Sequence, residues 1–310
     1  MNPLLPVLLS ATDPLQAIKN LALAAMSSPL SRVMYARALD DFLAWCQEKH
    51  ASFTRAAVLE YRGYLDASGL SPASVNQKLS AIRKLASEAV YAGWLDSGVA
   101  QGIKEVKGAR QQGVRTGNWL TKKQAEELLG TPDAATRKGL RDRAILSVLI
   151  GCGLRRDEVA RLEFGHVQQR DGRWCLVDLV GKHGRIRTIP MPAWAKTAID
   201  QWTAAAEIQS GRVFRGVNKG DRVVGESLSS QGVLRCVEEH AQGLDGHIAP
   251  HDLRRTHAKL TYRGGAKLDQ LQLSLGHASL MTTQRYLGAH QDLTDAPCDY
   301  LHLDLGALAQ

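Results

Sequence analysis

Hydrophobic positions after residue 30 recur at helical spacing: Tyr35, Ala38, Leu39, Phe42, Leu43 and Cys46 line one face. Ser28-Pro29 precedes them, a capping residue followed by proline at the first helical position. The same punctuation, Ser71-Pro72, opens a second run. It carries Val75, Leu79, Ile82, Ala86 and Ala89 on one side and Gln77, Lys78, Ser80, Arg83 and Lys84 on the other. Residues 1–97 are therefore expected to form a small helical domain whose first helix appears by about residue 15.

Residues 98–118 hold five glycines and four cations against one carboxylate, and their second half has no apolar period. They are expected to be a basic linker. A second domain is expected over 119–310. It starts at Thr121, with Gln124 three residues on as in a capping box, and a long apolar helix then runs to Gly151-Cys152-Gly153. Between 165 and 190 the pattern changes: Asp171-Gly172 and Gly181–Gly184 separate short runs rich in Val, Ile and Trp, which predicts a three-stranded antiparallel meander. Helical spacing returns after 192. The predicted fold is mainly α with a small antiparallel β-sheet, in two domains.

Charge narrows the partners. The 310 residues carry 39 Lys and Arg against 31 Asp and Glu, a net charge of +8. Both parts are basic, with 13 cations against nine carboxylates in residues 1–118 and 26 against 22 thereafter. Such a balance favours an anionic partner, nucleic acid or an acidic membrane surface. The uncharged run Ala144–Leu154 is far shorter than the ~20 residues that span a bilayer. The N-terminal MNPLLPVLLSATD lacks a basic start and holds two prolines, unlike a signal peptide. Cys46, Cys152, Cys175, Cys236 and Cys298 form no C-x-x-C pair, so neither a zinc ribbon nor a disulfide framework is supported. His247, His251 and His257 match no zinc spacing, and no phosphate-binding G-x-x-x-x-G-K-[ST] loop occurs. A cytoplasmic protein without metal or cofactor is expected.

Five pieces of the second domain need a joint explanation. GLRRDEVARL (153–162) places Arg155 after a helix-ending glycine with Glu158 one turn along. VGKHGR (180–185) puts Lys182 at a hairpin tip beside His183. In PHDLRRTH (250–257), His251 and Arg254 share a helix face. LGHASL (275–280) sets His277 in a turn, and TTQRYLG (282–288) puts Tyr286 in a short helix nine residues later. A phosphodiester asks for such groups. Planar cationic forks stabilise charge on its non-bridging oxygens, a phenol can attack phosphorus, and a mobile amine can protonate the leaving oxygen.

In order and spacing this series resembles the tyrosine recombinases, also called the phage integrase family. The resemblance implies the catalytic set Arg155, Lys182, His251, Arg254, His277 and the nucleophile Tyr286, with Glu158 in support; Tyr262 and Tyr300 sit at no matching offset. It implies a helical core-binding domain and a catalytic domain that grip double-stranded DNA, at paired inverted half-sites, from two sides. Gln77, Arg83, Lys84, Lys104, Lys107, Arg110 and Arg115 are the residues expected to contact that DNA. It further implies a homotetramer exchanging strands through a 3′-phosphotyrosine and a Holliday junction, for integration, excision or dimer resolution. Residues 291–310 would act as a C-terminal exchange segment, docking on a neighbouring subunit or on their own domain. The size resembles simple integrases and Xer-like resolvases, with no extra N-terminal arm-binding domain expected. A type IB topoisomerase, or a catalytically silent DNA-binding regulator on the same scaffold, are the rival readings.

Overall fold

The computed structural model describes residues 12–26, 28–110, 118–181, 184–244 and 246–287. The chain divides into two units, Met1–Val114 and Arg115–Gln310. Within the first unit lie α1 (Thr12–Ala24), α2 (Pro29–Glu48), α3 (Arg55–Ala67), α4 (Pro72–Tyr91) and α5 (Ser97–Lys104). Ser28 and Ser71 accept from the backbone N–H three residues on, with Pro29 and Pro72 following, so both Ser-Pro starts behave as the sequence predicts. The core is built from one face of each helix: Leu39 and Phe42, Val58 and Tyr61, Leu79, Ile82 and Leu85, and Ile103 are all buried. Phe42 meets Phe53 and Tyr61 edge-on, at centroid distances of 5.7 and 5.0 Å.

Helix α5 is a departure from the expected linker. Asp96 caps it by accepting from the N–H groups of Gly98 and Val99, and Ala100, Ile103 and Val106 are buried in the helical core. Two side chains of α4 then hold the following segment. Asn76 both donates to and accepts from the backbone of Ala109, at 3.0 and 2.8 Å, and Arg83 donates to the carbonyl of Val106. The glycine-rich composition therefore masks a short apolar period.

In the second unit, α6 (Lys122–Gly130) opens with the predicted Thr121–Gln124 capping box, and α7 (Arg137–Gly151) follows. The segment Thr131–Thr136, holding Pro132, separates what the sequence suggested as one helical stretch. Every residue from Ala144 to Ile150 is buried. Such a helix is a core element rather than an amphipathic surface one. Helix α8 (Arg156–Ala160) leads into β1 (Val167–Arg170), β2 (Arg173–Val180) and β3 (Ile186–Pro190), an antiparallel sheet in the order β1-β2-β3. Val167 faces Leu176 and Leu176 faces Ile189, while the β2–β3 register shifts between Leu176 and Leu179. There Asp178 takes φ +54°, the signature of a bulge. Then come α9 (Ala193–Ala205), a two-stranded ribbon β4 (Gly216–Val217) and β5 (Val223–Val224), α10 (Ser230–His240), α11 (Pro250–Arg263), α12 (Leu268–Leu275) and α13 (Leu280–Leu287). Helices α6, α9, α10 and α11 all pack on α7. Among the described residues no helix is long and apolar enough to cross a membrane.

Candidate active site

Helix α7 ends in a turn that other elements grip from two sides. Gly153 has φ +60°, and a Cβ there would lie 2.6 Å from the ring of His257 on α11. Only glycine fits both conditions. Its carbonyl accepts from the Nη1 of Arg254, also on α11. Arg254 is 1% exposed and its Nη2 donates to the carbonyl of Leu275 at the end of α12. His257 faces the Ile150 carbonyl at 2.8 Å through its Nδ1. Burial, then the charge of Arg254, pull its pKa down to about 4 despite that contact.

Two residues beyond Gly153, Arg155 is the N-cap of α8. Glu158 reaches back to it, accepting from its backbone N–H at 2.8 Å and from its Nη1 at 2.9 Å. Glu158 is also a two-point acceptor for Arg187 of β3, from Nη1 at 3.0 Å and Nη2 at 2.8 Å. Burial would raise the Glu158 carboxyl. The hydrogen bonds and charge of Arg187, then those of Arg155, overcome that and hold it at about 2. It is a permanent anion between two guanidinium groups.

His251 and Arg254 lie one turn apart on α11, as the sequence predicts. With Arg155, Arg156, Asp157, Leu234, Ala249 and Pro250 they line a cleft of about 310 Å³. The His251 side of the cleft is open to solvent, yet enough protein surrounds the ring that desolvation, then Arg255 and Arg254, lower its pKa. Helix α12 stops at Gly276, whose φ of +62° makes the left-handed helix end. His277 follows, with Nδ1 3.0 Å from the hydroxyl of fully buried Thr283 on α13. Burial, then Arg254, Arg155, His251 and Arg187, bring its pKa to about 4. In both histidines the surroundings favour the neutral ring over the charged one.

The structure thus brings Arg155, His251 and Arg254 to one cleft, with Glu158 paired to Arg155 and the turn of His277 joined to Arg254 through the Leu275 carbonyl. Tyr286 lies in α13, as expected, but its side chain is outside the described residues. So are Lys182, His183, Arg115, Tyr300 and the expected exchange segment. In the first unit, Gln77 donates to the Met34 carbonyl, Arg83 to Val106, and Lys84 to Glu88. Lys78 pairs with Asp41. Lys104, Lys107 and Arg110 are exposed.

Arg187 and the gripping role of His257 escape sequence reasoning because their partners are far away in the chain. Thr283, six residues from His277, escapes it because a threonine hydroxyl in a helix carries no motif. Among the described residues, one trio of possible metal ligands converges: Asp142, Cys236 and His240. Arg141 already donates twice to Asp142, at 2.8 and 2.7 Å, and Lys138 once at 3.1 Å. Two cations on one carboxylate mark an internal ion network, which disfavours a metal.

Family profiles match both units of the chain. The phage integrase family profile matches residues 118–292, and the profile of its N-terminal SAM-like domain matches residues 18–93. The tyrosine recombinase XerC of Pelobacter propionicus is 32% identical over 268 residues, covering 84% of each chain. XerD of Pseudomonas putida is 30% identical over 267 residues, covering 83% of this chain and 85% of its own. Among solved structures, the XerH site-specific recombinase bound to palindromic difH substrate, a post-cleavage complex, aligns with a TM-score of 0.69. That alignment has 20% identity and covers 88% of this chain and 81% of that one. A lambda integrase dimer bound to a COC′ core site aligns with a TM-score of 0.67 and 16% identity, covering 90% and 96%. These structures share the fold described above.

Proposed function

Because the chain belongs to the phage integrase family, we propose that it is a site-specific DNA recombinase that cuts and rejoins strands through a covalent bond to Tyr286. The observation that carries this reading is the meeting of Arg155, His251 and Arg254 at one cleft, with the turn of His277 tied to Arg254 through the Leu275 carbonyl. A pure binding protein has no need of a buried arginine, an anion-held arginine and two neutral histidines at one point.

Each group has a task that its surroundings suit. Arg155 and Arg254 present guanidinium donors to the non-bridging oxygens of the scissile phosphate, where negative charge grows in the transition state. The phenolic oxygen of Tyr286 attacks phosphorus and the bond to the 5′-oxygen breaks. A neutral His251 or His277 takes up the phenolic proton, and Lys182 delivers a proton to the departing oxygen. The phosphotyrosine keeps the phosphodiester's bond energy, so a 5′-hydroxyl from another strand reverses the step without ATP. The DNA partner carries paired inverted half-sites, bound by the helical first unit and by the catalytic unit. Two such sites meet in a homotetramer and exchange strands in pairs. Lys104, Lys107 and Arg110 are exposed where a backbone-tracking segment needs charge. The protein acts in the cytoplasm.

The deciding experiment uses a supercoiled plasmid bearing two copies of the DNA that flanks the gene. Deletion or inversion between the copies is the expected result. Relaxation without exchange points to a topoisomerase, and tight binding without any covalent adduct points to a regulator.

A further inference from the structure

We propose that Arg187 is a positioning residue for strand cleavage, setting Arg155 through Glu158 while tying strand β3 to the turn that carries His277. The proposal rests on the recombinase reading above.

Three segments meet this one side chain: α8, the end of α12 with its following turn, and the end of β2. The two Nη atoms of Arg187 hold both oxygens of Glu158, whose other contacts are the backbone and guanidinium of Arg155. Its Nε donates to the Ser274 carbonyl at 3.0 Å, in the last turn of α12. A Cβ on Gly276 would sit 3.0 Å from the Arg187 Cδ, so the glycine of the Leu-Gly-His turn lies flat against this side chain. A Cβ on Gly181 would sit 3.0 Å from its Nη1, so the strand end that leads to Lys182 rests on the same guanidinium. The side chain is 8% exposed. Its Nε and both Nη atoms donate to acceptors within the protein, which places it to hold its neighbours.

The chemistry of the pair explains why an arginine is used. A carboxylate buried like Glu158 is costly unless more than one donor satisfies it. With Arg155 alone it would have one charged partner, on its own short helix. A bidentate guanidinium from β3 supplies the second and fixes the carboxylate plane. Arg155, 31% exposed at its side chain, is then held from behind while its remaining donors face the cleft. Among the described residues, the charged groups paired with Glu158 are Arg155, at the start of α8, and Arg187 of β3.

The test compares wild type, Arg187→Gln, Arg187→Lys, Glu158→Gln and the double variant Arg187→Gln/Glu158→Gln. Detergent-trapped covalent adduct is measured in single turnover on supercoiled plasmid bearing the flanking DNA, with DNA affinity and thermal midpoint read in parallel. Arg187→Gln is expected to slow adduct formation on the order of 10–100-fold with affinity changed by less than about 3-fold. Arg187→Lys should recover part of the rate. In Arg187→Gln the buried carboxyl of Glu158 loses its main stabilising partner and its pKa rises. Its adduct rate should therefore fall more steeply than wild type as pH drops from 7 to 5. The double variant should lack that added pH dependence and be no slower than Arg187→Gln. Should Arg187→Gln be too unstable to read, the rate and pH profile of Arg187→Lys decide in the same way. Wild-type rates in the Arg187 variants, or losses that track thermal midpoint with an unchanged pH profile, would overturn the assignment. A wild-type protein that forms no adduct would instead overturn the recombinase reading.

Discussion

Arg254 donates a hydrogen bond to the carbonyl of Gly153, two residues before Arg155. The second arginine of the site is thus built into the turn that presents the first. The two arginines differ sharply in burial, 1% exposed for the whole residue at Arg254 against 31% for the side chain of Arg155, and this separates their effects.

Replacing Arg254 with Ala should lower stability as well as cleavage. The carbonyls of Gly153 and Leu275 would lose their buried donor, a cost of about 2–5 kcal/mol in total. Arg155→Ala removes one of the two cations on buried Glu158 but leaves the bidentate Arg187. It should therefore cost less stability than Arg254→Ala, about 1–2 kcal/mol, while reducing adduct formation roughly 100-fold or more. Urea denaturation beside a detergent-trapping assay checks both. Equal stability losses in the two variants would contradict the arrangement.

The buried His257 makes folding sensitive to acid. Its pKa is about 4 in the folded protein against 6.5 ordinarily. Between these values the unfolded chain binds the extra proton, so stability falls as pH drops from 6.5 toward 4. His277 adds to the same trend, being also held near 4. The thermal midpoint of His257→Phe should therefore change less between pH 7 and pH 5 than that of wild type. An identical pH slope in the variant would count against the buried neutral ring.

In the first unit, Arg83 and Lys84 should behave differently although they are neighbours. Arg83 supports the Val106 carbonyl after α5, so Arg83→Ala should lower the thermal midpoint. Among the described residues Lys84 pairs with Glu88 of its own helix, so Lys84→Ala should leave folding intact. If its ammonium contacts DNA, the variant should weaken binding and reduce the slope of log affinity against log salt by about one. A salt slope unchanged by Lys84→Ala removes this residue from the interface.

Much of this architecture is legible in the chain because it is local. Ser28-Pro29, Ser71-Pro72 and the Thr121–Gln124 pair act within one turn of helix, and they mark helix starts correctly. The meander is equally visible, since its turns and alternating strands are contiguous. The motif series is readable for another reason: its order and spacing resemble the phage integrase family, whose profile matches residues 118–292. Arg187 is invisible to such reasoning, because its partners Glu158 and Ser274 lie 29 and 87 residues away. Helix α5 was obscured by Gly98 and Gly102, which read as linker although Asp96, Ala100 and Ile103 supply a cap and an apolar face. The ribbon β4–β5 has two residues per strand, too few for any period to show.

A recombinase of this kind forms a covalent bond between DNA and Tyr286, which can be detected directly. Full-length protein is incubated with the plasmid bearing the flanking DNA, quenched with detergent, digested with nuclease and protease, and mapped by mass spectrometry. The account predicts one nucleotide-modified peptide, containing Tyr286, and none from Tyr286→Phe, whose DNA affinity stays within about 3-fold of wild type. A modified peptide containing Tyr262 or Tyr300, or an adduct that persists at wild-type yield in Tyr286→Phe, would contradict it.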